Sequence, residues 1–253
     1  TQVGLANEYT TDAATNLLWH CNETTGTTAF DSLGNNRNGT ISSGSLLKGV
    51  SSATSLHSCF NGFTDSRYVS RSNSDSFASG SIFTIEAWAT APWIFYDYET
   101  IAELRSAGTI SWMLCVMHDG SLRFETGNSA NSVQTTPLVW SMDTWYHVAV
   151  VIQYLNVTTN RIKLYWTKLG NTTPNLLADT TVALFTPGTN SMTFRIGADS
   201  ASGQNRSYQG KIDEIRFSNT ARAPAEFITL SSYTSPVEFS YFTAEIYLTK
   251  LEH

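Results

Sequence analysis

Between Ala91 and Thr100 the chain reads Ala-Pro-Trp-Ile-Phe-Tyr-Asp-Tyr-Glu-Thr. Trp93, Tyr96 and Tyr98 crowd together there, with Asp97 and Glu99 among them. Aromatic rings cover the C–H patches of a sugar, and carboxylates accept hydrogen bonds from its hydroxyls. A ligand-binding role for Trp93, Tyr96, Tyr98 and Asp97 toward a glycan is therefore one expectation. The competing one is that the same rings plug the edge of the fold or pack on a neighbouring domain. A second cluster of recognition chemistry is Asp199–Tyr208, where Asp199, Gln204, Asn205, Arg206 and Tyr208 offer donors, acceptors and a stacking ring. Loop tips are where binding groups concentrate, and Asn205 and Arg206 are the ligand candidates here. The alternative is a solvated turn.

Glu23, Asp31, Asn36 and Asp213 carry the oxygen atoms that a hard cation such as calcium would need from converging loops. The alternative for Asp31 is an Asx-turn that satisfies loop amides. Catalytic spacing is poor. Glu86 stands alone on its strand. Asp213 and Glu214 are adjacent, so strict alternation sends them to opposite faces. No Gly-x-Ser-x-Gly elbow is present. His20 and His147 fall in strand patterns and read as structural histidines. Cys21, Cys59 and Cys115 make an odd count with no Cys-x-x-Cys spacing, which disfavours zinc. Three free thiols are expected, with a Cys21–Cys59 disulfide as the alternative.

The elements that must position these groups are short strands. Charged residues make up 14% and aromatics 12% of 253 residues, and no long helical apolar stripe occurs. Apolar, β-rich runs recur at Phe83–Ala89, Ile110–Val116, Ser121–Glu125, Tyr146–Ile152, Arg161–Trp166, Ser191–Ile196 and Lys211–Phe217. Asp119-Gly120, Gly127-Asn128, Gly170-Asn171 and Pro187-Gly188 punctuate them as turns. This pattern predicts a two-sheet β-sandwich. Phe83, Ile85 and Ala87 share one face of their strand, and Thr84, Glu86 and Trp88 the other. From Trp145 to Ile152 both faces are apolar, which predicts a central strand covered on both sides. The formal net charge of −6 argues against a nucleic-acid partner. No membrane-length apolar run is present, so membrane insertion is not expected.

Ile196–Phe227 reads as a loop, then the strand Gly210–Phe217 containing Ile-Asp-Glu-Ile-Arg, then a short helix opening at Pro224. This segment resembles the close of the laminin G-like jelly-roll domains of the concanavalin A-like lectin/glucanase superfamily. Leu17–Gly26, the Asp-Ser-Leu-Gly-Asn loop within Thr27–Thr40, Phe83–Trp88 and Asp143–Val151 resemble further elements of that family in the same order.

The resemblance implies an all-β, two-sheet antiparallel jelly roll with one short helix near its C-terminal end. It runs over residues 17–230, preceded by a lead-in at 1–16. Ser231–Lys250 would be a β extension or a linker, and Leu251-Glu252-His253 the stub of a tag. The resemblance also implies a structural Ca²⁺ between loop and strand, with Asp31 matching the loop aspartate and Asp213 the strand aspartate. The Glu-x-Asp-x-(x)-Glu motif of the superfamily's glycosidases is missing here, so no enzyme is expected. The function implied is non-catalytic carbohydrate recognition, by a module of a larger extracellular, cell-surface or virion protein with covalently linked neighbouring domains. The alternative is a structural or adhesion module that binds a cell-surface or virion protein and no glycan.

Overall fold

The computed structural model describes residues 8–34, 37–42, 46–51, 58–73, 82–90, 97–106, 109–127, 131–185, 192–199 and 206–227. The described strands form two antiparallel sheets. The first runs β14 (Leu176–Ala183), β13 (Thr159–Lys168), β12 (Trp145–Asn156), β7 (Phe83–Thr90), β16 (Ile212–Ser218), β5 (Ser58–Asn61) and β4 (Leu47–Ser51), with β1 (Thr15–Trp19) also paired to β16. The second runs β11 (Val133–Gln134), β10 (Leu122–Thr126), β9 (Thr109–Met117), β8 (Tyr98–Ser106), β15 (Met192–Ile196), β6 (Val69–Asn73), β3 (Gly39–Ile41) and β2 (Thr28–Ala29). The expected sandwich is what forms.

The core lies between the sheets. Phe83, Ile85 and Ala87 of β7 and Val148, Val150 and Ile152 of β12 meet Leu104, Trp112, Leu114, Phe124 and Phe194 of the second sheet. Phe83 stacks on Phe217 with ring centroids 5.2 Å apart. Burying each such side chain contributes about 1.5–3 kcal/mol.

The outer face of the first sheet is covered as well, as the two apolar faces of β12 require. Tyr9, Leu18, Cys59, Trp88 and Trp145 form one outer cluster, and Ala149, Val151, Tyr165 and Phe227 form another. The cover comes from the two ends of the described chain. Tyr9 belongs to the lead-in, which is further tied down by Asp12 accepting from Arg222 at 2.8 and 2.7 Å. Phe227 follows Pro224–Glu226, which forms a single 3-10 turn, shorter than the helix expected from sequence.

Alternation fails in β16. Its pairing with β7 shifts between Asp213 and Arg216, and Glu214 sits at φ 52°. The bulge brings both acidic residues to the outer side. Asp213 pairs opposite Trp88, and Glu214 Oε2 accepts the Tyr9 amide at 2.9 Å. The opposite-face expectation for this pair is corrected, because a bulge resets the period of two.

Candidate functional site

The second sheet turns a polar face outward. Register carries one row across six strands: Glu125, Met113, Glu103, Arg195, Ser70 and Thr40 are successive partners on β10, β9, β8, β15, β6 and β3. Partners in a ladder share a face, and Phe194 and Ile196 on either side of Arg195 point into the core. Tyr98, Thr100 and Arg105 lie on the same outer face of β8.

The chain leaves β15 through Gly197, at φ 80°. A Cβ there would stand 1.9 Å from the Phe63 ring, so only glycine permits this turn. It delivers Asp199 over the sheet. Asp199 is buried between two guanidinium groups, with Arg105 Nη2 at 2.5 Å from Oδ1 and Arg206 Nη1 at 2.9 Å from Oδ2. Arg105 Nε also contacts Glu103 Oε2 at 2.5 Å. Burial pushes the Glu103 carboxyl up to about 7; Arg105 opposes that rise and Asp199 adds to it.

Two tyrosines flank this ionic centre. The Thr100 amide donates to the Arg206 carbonyl, which sets Arg206 beside β8. Its guanidinium then lies 4.5 Å above the centroid of the Tyr98 ring. On the other side of the sheet Arg195 lies 3.9 Å above Tyr68. All four side chains are half-buried, and Asp97 is exposed. The outer face therefore carries two half-buried, cation-capped rings on either side of a buried Arg–carboxylate cluster.

Of the residues expected to bind ligand, Tyr98, Asp97 and Arg206 gather here. Trp93, Tyr96 and Asn205 lie outside the described residues, as do Gln204, the tail from Ser231 and Asn36. Tyr208 is not a stacking ring at a loop tip. It is fully buried and donates its hydroxyl to the Thr90 carbonyl at 2.5 Å. Asp199 is likewise an internal counter-ion instead of a loop-tip acceptor. Sequence reasoning missed Glu103, Arg105, Arg195 and Tyr68. Their signal was strand alternation, which puts Glu103 and Arg105 on one face, but the partners across β15 and β6 follow only from register.

The metal candidates each have structural contacts of their own. Asp31 Oδ1 accepts the Leu18 amide at 3.0 Å, and the Asp31 amide donates to Asn38 Oδ1 at 2.9 Å. Asp31 thus clamps β1 to the following loop, while its Oδ2 is buried without a hydrogen-bond partner. Glu23 Oε1 accepts the Phe30 amide at 2.7 Å. The group of three whose donor atoms converge within 4.8 Å, among the described residues, is Glu8, His20 and Glu214, not Glu23, Asp31 and Asp213. There His20 Nδ1 lies 2.9 Å from Glu214 Oε1. Burial would lower the imidazole pKa, but the hydrogen bond and charge of Glu214 outweigh it and raise the value.

Glu86 is engaged in structure. It is buried against Arg216 and His147, the latter at 3.1 Å. Burial would push its carboxyl up, yet His147 and Arg216 hold it below the ordinary value. The three cysteines are buried and none forms a disulfide, and burial pushes the Cys59 thiol up to about 12.

Known structures share this architecture. Domain 4 of AbnA, a GH43 extracellular arabinanase from Geobacillus stearothermophilus solved with arabinotriose, aligns at a TM-score of 0.59 and 15% identity, over 85% of this chain and 97% of that one. Trypanosoma rangeli sialidase aligns at 0.58 and 11%, over 90% of this chain and 36% of the enzyme. The binding domain of botulinum neurotoxin serotype D aligns at 0.58 and 13%, over 83% of this chain and 49% of that domain. At these identities the likeness is one of fold. No curated protein sequence matches the chain. A laminin G-like family model, described as the concanavalin A-like lectin/glucanases superfamily, matches residues 63–227, well over half of the sequence, and the chain belongs to that superfamily.

Proposed function

We propose that this domain is a non-catalytic glycan-recognition module whose binding surface is the outer face of the second sheet. The observation that carries the reading is the pair of arginine-capped tyrosines, Arg206 on Tyr98 and Arg195 on Tyr68, flanking the Asp199–Arg105–Glu103 cluster. Rings supply apolar area for sugar C–H faces, and fixed ionic groups orient hydroxyls. The arabinotriose complex of a domain with the same fold is in keeping with it.

Hydrolysis is not part of the proposal. Glu86 and Glu214 are tied to basic partners in the covered layer of the first sheet, and Glu103 and Asp199 share Arg105. The proposal places the module in an extracellular, cell-surface or virion protein with linked neighbouring domains. No helix among the described residues is long and apolar enough to cross a membrane.

A structural calcium ion is proposed with Asp31 and Asp213 as carboxylate ligands; the buried Oδ2 of Asp31 and Oε2 of Glu23 lack a hydrogen-bond partner. The adhesion reading has one observation of its own. Val139 is 85% and Met142 52% exposed beside the half-buried Trp140, an apolar loop suited to a protein surface.

The test is a glycan array probed with the purified chain, followed by titration of any hit. Tyr98→Ala should weaken binding by about 1–3 kcal/mol, as loss of an interface anchor does, with the fold intact by circular dichroism. An array without hits would move the assignment to adhesion.

A further inference from the structure

Arg195 is the unusual member of the outer face. Arg105, Arg123 and Arg206 each hold a carboxylate within 4.0 Å. Arg195 makes no such ion pair among the described residues, and its buried Nε has no hydrogen-bond partner. The Tyr68 ring lies beneath it, with Cζ 3.9 Å from the ring centroid. A planar fork of donors held flat on a ring is pre-organised, so little rotamer entropy remains to be lost when it takes a ligand.

Its surroundings are low and hydroxylic. Ser70 is its ladder partner on β6, and Thr40 is the partner of Ser70 on β3. Thr193 and Ser72, ladder partners of each other, lie one step along the same face. Thr40 and Ser72 are exposed, and Ser70 and Thr193 half-buried. Beyond Arg195 on the β8 side stands Glu103, already engaged by Arg105. The result is a shallow shelf of four small hydroxyl side chains around one cation with unmade hydrogen bonds, in a chain whose net charge is −6. Buried donors left unpaired are costly, and a guanidinium fork matches a two-oxygen anion in bidentate fashion.

From this geometry we infer that the shelf recognises the carboxylate of an acidic sugar, a uronic or sialic acid residue, with Arg195 as the bidentate receptor and Ser70, Thr193, Ser72 and Thr40 facing the ring hydroxyls. The inference rests on the glycan-recognition reading and narrows it to a substrate class. Sulfate or phosphate esters share the oxyanion but are tetrahedral and carry more oxygens than the single fork engages.

Isothermal titration of the intact chain separates the cases. The probes are an oligogalacturonide, its methyl ester, the neutral galactose oligomer of equal length, a sialylated trisaccharide and a sulfated oligosaccharide. The acidic sugars should bind at least tenfold tighter than the ester and neutral forms. Arg195→Gln should remove that preference, while Arg195→Lys should keep part of it. Unchanged melting temperatures of both variants would show that the fold is retained.

Equal affinity for acidic and neutral sugars, or acid binding untouched by Arg195→Gln, overturns the inference while leaving the glycan reading standing. Preference for the sulfated probe alone overturns the carboxylate assignment. Absence of binding to every glycan defeats both, and Tyr98→Ala then has nothing to weaken.

Discussion

Arg216 on β16 reaches across to β7 and donates both Nε and Nη2 to one oxygen of Glu86, at 2.8 and 2.5 Å. The other Glu86 oxygen faces His147 Nε2 from β12. Arg222 Nε stands 3.8 Å from the first. Three adjacent strands of the first sheet thus meet at one buried carboxylate, under the layer formed by Tyr9 and Phe227. Arg216 continues outward, donating to the Glu226 carbonyl and lying 4.7 Å from the Tyr9 ring centroid. The two ends of the described chain are thereby fastened over the same ion pair.

Glu86→Ala should therefore be strongly destabilising. It leaves Arg216 buried without its anion, and breaking a buried pair costs about 3–5 kcal/mol. Chemical denaturation of the variant checks this. A loss below about 1 kcal/mol would mean that the outer layer opens readily to water.

Acidity should shape stability in two directions. Glu103, raised to about 7 by burial, holds a proton in the folded state between about pH 4.5 and 7 that the unfolded chain has released. Folding then binds more protons than unfolding in that window, so stability falls as pH rises through it. At about 1.4 kcal/mol per pKa unit the loss is on the order of 3 kcal/mol. His20, with its value raised, adds a loss of the same sign above pH 6.5. Glu86 and Asp12, both lowered, act in the opposite sense: their contribution is present above the ordinary carboxylate values and disappears in stronger acid. Melting temperature against pH should peak near pH 4.5–6, and Glu103→Gln should flatten the decline toward pH 8.

Gly197→Ala should lower stability by more than the roughly 1 kcal/mol typical of a point substitution. The new Cβ would meet the Phe63 ring, and the backbone is at positive φ. Because the same turn delivers Asp199 to Arg105 and Arg206, glycan affinity should fall together with the melting temperature. Stability and binding measured on one preparation test the coupling.

Much of this was readable from residue order, and the unread part has physical causes. Alternation in Phe83–Ala89 and Trp145–Ile152 separates the main core from the outer clusters as expected, because both strands pair regularly along their length. The face of Glu214 was not readable, since a bulge after Asp213 breaks the period. Tyr98 and Arg206 were both candidates, but their stacking depends on the parallel bridge between Thr100 and Ser207, a contact between segments about a hundred residues apart. Arg195 looked like an ordinary strand residue. That it makes no ion pair within 4.0 Å among the described residues, although Glu103 is its ladder partner, emerges only once β6 and β8 are placed on either side of it.

Asp31 decides whether the domain carries a cation. Its Oδ1 holds the Leu18 amide and its Oδ2 is buried and unbonded. Asp31→Asn preserves an acceptor toward Leu18 and removes the charge. If calcium binds at Oδ2, the parent chain at a hundredfold excess over the dissociation constant should gain about 2.7 kcal/mol over the chelated form. The Asn variant should show no such gain, while losing little stability in chelator because the clamp on β1 persists. Asp213→Asn tests whether the strand carboxylate shares the ion with Asp31; it should then lower the calcium increment as well. Identical melting of the parent chain with calcium and with chelator, together with no metal by elemental analysis, would leave Asp31 as a strand clamp alone. A calcium increment abolished by Asp31→Asn and untouched by Asp213→Asn would leave Asp31 without the strand carboxylate as a co-ligand.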